Sequence, residues 1–579
     1  MRTIITLSLL FLLASCQSQN EKPNVIILMT DDQGYGDLSI HGHPYLQTPN
    51  MDQLHDASIS FTNFHVAPVC TPTRSQLMTG MDALRTNAFS PHGQFHLMRQ
   101  DYTTMADIFL KNGYRTALYG KWHLGGNSIG YRPHERGFED AVHFLRGGHW
   151  SHPNPWNSDC MDDYYYHNGV LEKFEGYAND IWFDLGKEFI TECVSEDKPF
   201  FLYLPVNAPH IPWLVPEKYR EPYLDKGLDD KSVNFFAMIG TVDERLGDLL
   251  GFLEQKSLRD NTIFIFLTDN GSTLFQQDYN AGMRGFKGSL YEGGHRVPCF
   301  ISWPAGELVQ PTEIEQITIC QDILPTLIDL CELELEEPVD FNGISIAGLL
   351  RGTEQPELED RVEIIQVSMD QFEGVVMHKN WRLVNGLDLY NLETDPAQEI
   401  NLADQHPEVV SNLLSEYNRW WMPIEPEGIP EPYYIDGTEE VMLTAYDWYD
   451  GDRIYNWPHL RAGEKSNGQY YVIFTEGGEY SFSLRRWPRE ADAGITESVP
   501  AFTPFDPFLG SLEEGVALDI VMAYLAVGEE GQEAEVLPGD KEVVFNMFVP
   551  EGECIIQTFF MDRRGEVFGA YYLYINKTD

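Results

Sequence analysis

Between residues 24 and 304 the chain alternates short uninterrupted apolar runs with longer stretches in which apolar positions recur every three or four residues. Asn24 to Met29 is a run of the kind expected for a strand buried on both faces of a parallel sheet, Phe200 to Leu204 reads as another buried strand, and Tyr114 to Tyr119 and Thr262 to Leu267 read as further strands. Thr48 to Leu54, Thr104 to Asn112, residues 180 to 193 and Phe235 to Glu254 read as helices, Phe61 to Phe64 as a strand, and residues 75 to 80 as the start of a further helix. Strands alternating with helices predict an α/β unit over residues 22–350, with a mostly parallel central sheet flanked by helices.

The pattern changes after Pro304. A helix is expected at Asp322 to Cys331 and a Glu-rich linker near residues 333–338, then a hairpin from Trp381 to Val384 and Leu387 to Leu392, and a closing helix over 407–421. This makes a small α+β subdomain over 351–425. Beyond the Pro/Glu linker Pro423 to Pro432, short alternating runs at Tyr470 to Phe474, Tyr480 to Leu484, Gly515 to Tyr524 and Glu542 to Phe548 sit between Gly-rich turns. They predict an additional β-sandwich-like domain over 431–579.

The first residues have the charged start and apolar core of an export signal, and the run Ile4 to Leu13 is too short to span a membrane permanently. Leu13-Ala14-Ser15-Cys16 resembles a bacterial lipobox, so residues 1–16 are expected to be a lipoprotein signal peptide cut before a lipidated Cys16. Gln17 in place of Asp fits an outer-membrane destination. The protein would then meet the membrane only through a lipid anchor. The alternative is an ordinary cleaved signal and a soluble periplasmic or secreted protein.

Ninety acidic against 39 basic residues give a formal charge of −51, which excludes nucleic acid as a partner. Such a field also repels anionic substrates, except where salt shortens its reach to about 3 Å at 1 M. The acidity is read as solvation of a secreted protein in a saline habitat. The cysteines other than Cys16 and Cys70 are scattered, without zinc or disulfide-scaffold spacing, which leaves room for one or two bridges.

Charged and polar residues repeatedly follow the expected strands. Asp31 and Asp32 come after the first, Lys121 and His123 after Tyr119, His210 after Leu204, and Asp269 and Asn270 after Leu267. Open α/β sheets build their sites at these strand ends, and carboxylate and amide oxygens suit a hard cation such as calcium. Each residue alone has a plainer reading as a turn or a solvated side chain. The loop from Gly147 to Asn168 is rich in aromatics; it is either a sugar-facing surface, with His149, Trp150 and Arg284 as candidate substrate contacts, or a self-packed loop.

Cys70-Thr71-Pro72-Thr73-Arg74, continued by Leu77-Met78-Thr79-Gly80, resembles the signature of type I sulfatases, whose cysteine is oxidised to formylglycine. With Asp31-Asp32, Lys121-Trp122-His123, His210, Asp269-Asn270 and Lys287 in the family's order, the likeness to arylsulfatases of the alkaline-phosphatase superfamily covers most of residues 23–425. The resemblance implies one calcium ion held by Asp31, Asp32, Asp269, Asn270 and an oxygen of the modified Cys70. It implies that Arg74 steadies the hydrated aldehyde and that Lys121 and Lys287 grip sulfate. His123 would be the base that frees sulfate, and His210 the acid that protonates the leaving oxygen. Thr73 stands where the family usually has Ser, and Phe286 where Gly commonly precedes the lysine. The first bears on recognition by a formylglycine-generating or sulfatase-maturing enzyme, and the second is expected to narrow the pocket. The C-terminal region resembles the β-rich extension of some bacterial polysaccharide sulfatases.

The function so implied is hydrolysis of sulfate esters on sugars, with oligosaccharides of ulvan, carrageenan or fucan as expected substrates. The alternatives are a phosphonate monoester or phosphodiester hydrolase using the same formylglycine, and a non-catalytic carbohydrate-binding lipoprotein.

Overall fold

The computed structural model of the chain describes residues 22–274, 279–424, 428–506, 508 and 510–578. The expected signal peptide and Cys16 lie outside these residues. In chain order the strands before residue 320 are β1 (Asn24–Thr30), β2 (Ile59–Phe61), β3 (Phe64–His65), β4 (Arg115–Lys121), β5 (Asp140–Phe144), β6 (Tyr164–His167), β7 (Val170–Lys173), β8 (Phe200–Pro205), β9 (Thr262–Thr268), β10 (Cys299–Ser302), β11 (Glu313–Ile314) and β12 (Thr318–Ile319). All but β3 and β12 form one 10-stranded sheet in the order β11-β2-β10-β9-β1-β8-β4-β5-β6-β7. Its centre, β9-β1-β8-β4-β5, is parallel throughout. Antiparallel pairing begins only outside that block, at β10 and at β6 and β7.

Period two explains why the middles of β1, β8 and β9 are apolar, with polar residues of β1 and β9 only at their ends. Ile26 and Leu28 of β1 enter one core while Val25, Ile27 and Met29 enter the other, and β8 and β9 divide in the same way. One face is covered by α1 (Pro49–Asp56), α4 (Ala178–Ser195) and α5 (Asp230–Gln255); α2 (Cys70–Thr79), α3 (Met105–Lys111) and α7 (Ile323–Leu330) cover the other. A short helix, α6 (Glu292–His295), precedes β10.

Two boundaries differ from the sequence expectation. The strand expected at Phe61 to Phe64 is broken at residues 62–63, so that β2 joins the main sheet and β3 pairs with β12. The helix expected from residue 75 starts at Cys70. Pro72 falls in its first turn, where a missing N–H has no intrahelical partner to lose.

The C-terminal subdomain is a four-stranded antiparallel sheet, including the expected hairpin Trp381–Val384 with Asp388–Asn391, crossed by the helix Pro407–Trp421. Beyond it, a 6-stranded and a 4-stranded sheet share one core that contains Trp448 and Trp487, giving a β-sandwich-like unit. Leu97 and Tyr131 of the α/β unit are built into that core, so the two units are not merely tethered.

Candidate active site

The parallel strands end on the same edge of the sheet, and their continuations supply the site. β1 runs into Asp31 and Asp32, β9 into Asp269 and Asn270, β8 towards His210; β4 ends on Lys121, with His123 two residues on. Above this edge lies α2, every residue of which is buried, with Cys70 as its first residue and Val69 as its extended N-cap. The helix N-terminus is a place where negative charge is favoured. Asp32 and His123 both have positive φ, 71° and 59°, a conformation that costs roughly 1–3 kcal/mol each in non-glycine residues.

The charges form a closed network. Arg74 reaches from α2 to Asp269, with Nη2 donating to Oδ2 at 2.7 Å and Nε at 3.1 Å, while its Nη1 donates to the Lys121 carbonyl at 2.9 Å. Lys121 Nζ lies 2.7 Å from Asp31 Oδ2, and Lys287 Nζ bonds Asp32 Oδ1. Cys70 Sγ is 3.3 Å from His123 Nδ1. Burial pushes the Cys70 thiol up, and holds His123 well below the usual imidazole range, with Lys121 adding to the depression. His210 faces Asp32 at 3.8 Å and keeps 16% of its side-chain surface. Burial, with Lys287 and Lys121, brings it down to about 3 although Asp32 opposes.

Three enclosed oxygens in this network have no hydrogen-bond partner: Asp31 Oδ1, Asp32 Oδ2 and Asn270 Oδ1. In each carboxylate the other oxygen holds a lysine, and Asn270 donates its amide to Asp32 Oδ1 at 2.9 Å. Orphaned buried oxygens cost free energy unless something satisfies them, and an all-oxygen set suits a hard dication. Asp269 is placed to join them, since its Oδ1 accepts only the Asp32 backbone N–H, at 3.1 Å. The residues present therefore fit a calcium-like ion.

A second group of potential metal donors, His65, Glu292 and His295, is also buried. Here Arg382 takes Glu292 Oε1 at 2.7 Å, Arg296 lies 3.8 Å from Oε2, and the two histidines bond each other at 2.9 Å. Two guanidiniums already neutralise the one carboxylate, so this group ties α6 to the C-terminal subdomain rather than inviting a cation.

The expected substrate contacts separate. His149 is enclosed, 2% exposed, and bonded to Ser158 at 2.9 Å. Arg284 turns away to the Gln398 carbonyl, 2.8 Å, and the Tyr291 ring. Trp150 and Arg284 both keep partly open positions. The aromatic loop packs on its neighbours, with Tyr165 on Trp182 of α4 and Trp156 on Trp457 of the β-rich domain, and His149 against Tyr165 within the loop. Phe286 lies exposed at 38%, and the Thr73 hydroxyl donates to the Ala67 carbonyl at 3.2 Å, so neither departure displaces a reacting group. The seven described cysteines are all free.

Sequence reading missed Gly147 and Gly148, which follow β5. A Cβ on Gly147 would lie 2.8 Å from His123 Cε1, and one on Gly148 would lie 2.9 Å from His210 Cε1. The glycine pair thus packs against both histidines, where no side chain fits. Their neighbour Arg146 is fully buried and pairs with Asp447 of the β-rich domain. The only sequence signal was a Gly-Gly dipeptide after a strand.

A family model described as Sulfatase matches residues 23–333. Arylsulfatase A of Homo sapiens is 30% identical over 377 residues, covering 60% of this chain and 71% of the relative. An ulvan-active sulfatase of Formosa agariphila is 27% identical over 450 residues, covering 71% and 83%. Among solved structures, Ps i-CgsB in complex with k-i-k-neocarrahexaose aligns with a TM-score of 0.64 at 25% identity, covering 71% of this chain and 95% of that one.

Proposed function

The chain belongs to the sulfatase family and is a sulfuric ester hydrolase, and we propose that its substrates are sulfated oligosaccharides of algal type, cleaved through a formylglycine at position 70. The observation that carries the mechanism is the position of Cys70: first residue of a buried helix, 3.3 Å from His123, beside a cradle of orphaned oxygens. The substrate class is supported by the relatives that act on ulvan and bind a carrageenan hexasaccharide.

In this reading a maturing enzyme oxidises Cys70 to the aldehyde, which hydrates to two hydroxyls on one carbon. One attacks sulfur, losing its proton to solvent, as the bond from sulfur to the sugar oxygen breaks, and a protonated His210 gives that oxygen its proton. His123 then takes the proton of the second hydroxyl, the carbon–oxygen bond to sulfate breaks, and the aldehyde is restored. Neutral His123, as its surroundings enforce, is the form a base requires. His210 must gain a proton, and the arriving sulfate favours this by offsetting the field of Lys121 and Lys287. Those lysines and Arg74 are placed for the non-bridging oxygens. A calcium ion held by Asp31, Asp32, Asp269 and Asn270 would stabilise charge on the same oxygens. The sequence from Leu13 to Cys16 supports export as an outer-membrane lipoprotein.

The test is coexpression with a formylglycine-generating enzyme, mass analysis of the peptide containing residue 70, and sulfate release from ulvan, carrageenan and fucan oligosaccharides with Cys70→Ala as control. An aldehyde at residue 70 and release abolished in the control are expected. Wild-type rates in Cys70→Ala would refute the mechanism, and turnover of phosphonate or phosphate diesters in preference to sulfate would replace the substrate class.

A further inference from the structure

The β-rich domain meets the α/β unit along a seam of aromatic and histidine side chains that starts at the active site. Arg146, next to the glycine that touches His123, stacks 5.1 Å from the Tyr446 ring. Tyr446 lies within reach of the Lys287 charge, and its hydroxyl donates to the Pro91 carbonyl at 2.8 Å. His92 packs 5.8 Å from Tyr446 and 4.4 Å from Tyr455, and it too lies in the field of Lys287. His459 closes the group at 6.1 Å from Tyr455.

Tyr446 is buried, whereas Tyr455, His92 and His459 are only half-buried. Among the described residues the Tyr455 hydroxyl and the ring nitrogens of His92 and His459 make no hydrogen bond, and two of those nitrogens, His92 Nδ1 and His459 Nδ1, are enclosed. An aromatic face with unspent donors and acceptors at its rim is what a pyranose ring needs: apolar C–H groups against the ring, hydroxyls to the polar atoms.

We propose that Tyr455, backed by His92 and flanked by His459, is the platform for the sugar unit adjoining the sulfated one, so that the β-rich domain selects oligosaccharides over single sulfated residues. The proposal rests on the sulfated-oligosaccharide reading above and deepens it: the domain is part of the substrate cleft rather than a buttress. The ligand class is a sulfated saccharide of two or more units.

The experiment uses the matured full chain with the formylglycine confirmed by mass, and reads kcat/KM on 4-nitrophenyl sulfate and on the same ulvan, carrageenan and fucan oligosaccharides. Tyr455→Leu keeps bulk but removes the ring, and Tyr455→Phe restores it. The ratio of oligosaccharide to nitrophenyl kcat/KM is expected to fall about tenfold, through KM, in Tyr455→Leu, the loss of one well-packed contact, and to recover in Tyr455→Phe. A ratio within about twofold of the parent in Tyr455→Leu would overturn the platform, and so would a parent that turns over the nitrophenyl ester but no oligosaccharide. Failure of the matured parent on every ester would instead overturn the function it rests on.

Discussion

Gly148→Ala tests the roles proposed for the two histidines, His210 as the acid and His123 as the base that frees sulfate. The added Cβ would sit 2.8 Å from the Ile211 carbonyl oxygen and 2.9 Å from both Cε1 and Nδ1 of His210. Ordinary contact begins near 3.4 Å, so several tenths of an ångström must be found, and His210, with 16% of its side chain exposed, is freer to yield than the backbone. Misplacing a catalytic group by about 1 Å costs about 10²-fold, so a shift about half as large is expected to cost about tenfold, or ~1.4 kcal/mol of barrier. The loss should depend on the leaving group. A sugar alkoxide needs the proton from His210, whereas 4-nitrophenolate leaves without it. Steady-state kcat on both esters, with thermal unfolding as a check on folding, therefore gives a sharper reading than either alone. Gly147→Ala supplies the contrast, because its Cβ meets His123 at 2.8 Å and His123 serves sulfate release after any leaving group has departed; both substrates should slow together once that step limits. Parent-like kcat on the sugar ester in a folded Gly148→Ala, or equal losses on the two esters, would refute the assignment of His210 as the acid.

Calcium added to chelator-treated protein should raise the unfolding midpoint, by an amount equivalent to about 2.7 kcal/mol at 100 times the dissociation constant; scanning calorimetry should show the shift in the parent and not in Asp31→Asn. Burial holds the Asp163 carboxyl up to about 7, against the Ser158 hydroxyl and the Cys160 and Asp159 amides that favour its charged form. A folded-state pKa above the unfolded value makes its contribution full below the unfolded pKa and lost as pH rises through about 7. Denaturant titrations should therefore show Asp163→Asn gaining on the parent between pH 5 and pH 8, by at most about 2.7 kcal/mol, and a constant difference would contradict this. Finally, kcat/KM on a polysulfated oligosaccharide should rise between about 0.01 and 0.1 M salt, as the reach of the repulsive field contracts from about 30 to 10 Å; a fall would mean that local attraction governs capture.

The sheet was legible because burial on both faces leaves a strand no polar residue to place, so β1, β8 and β9 announce themselves. The reacting groups were legible because each follows such a strand or lies in a dense motif. The start of α2 was not, since Pro72 reads as a helix breaker until the helix is known to begin two residues before it. The candidate substrate contacts were legible only as a composition. An aromatic loop is equally suited to facing sugar or packing on its neighbours, and His149, buried, and Trp150, half-buried against the core, both pack inward. The seam was the least visible part. Arg146 with Asp447 and His92 with Tyr455 are pairs separated by hundreds of residues, and no local pattern encodes them.

Total charge misleads about the site for a related reason. Asp31, Asp32 and Asp269 face Arg74, Lys121 and Lys287, three acids against three bases, so the network is formally neutral within a chain of −51. Opposite charges favour ionisation where isolated charges would be expelled or neutralised, although burial and the neighbouring Asp269 push the Asp31 carboxyl well above its usual range. It also means that the fixed charges alone offer an anion no net attraction. The orphaned oxygens on Asp31, Asp32 and Asn270 would tip the balance if they held the proposed dication, which would leave the pocket with two positive charges that no side chain cancels. A sulfate ester, with one negative charge, is then drawn to a local excess that neither the composition nor the overall field reveals.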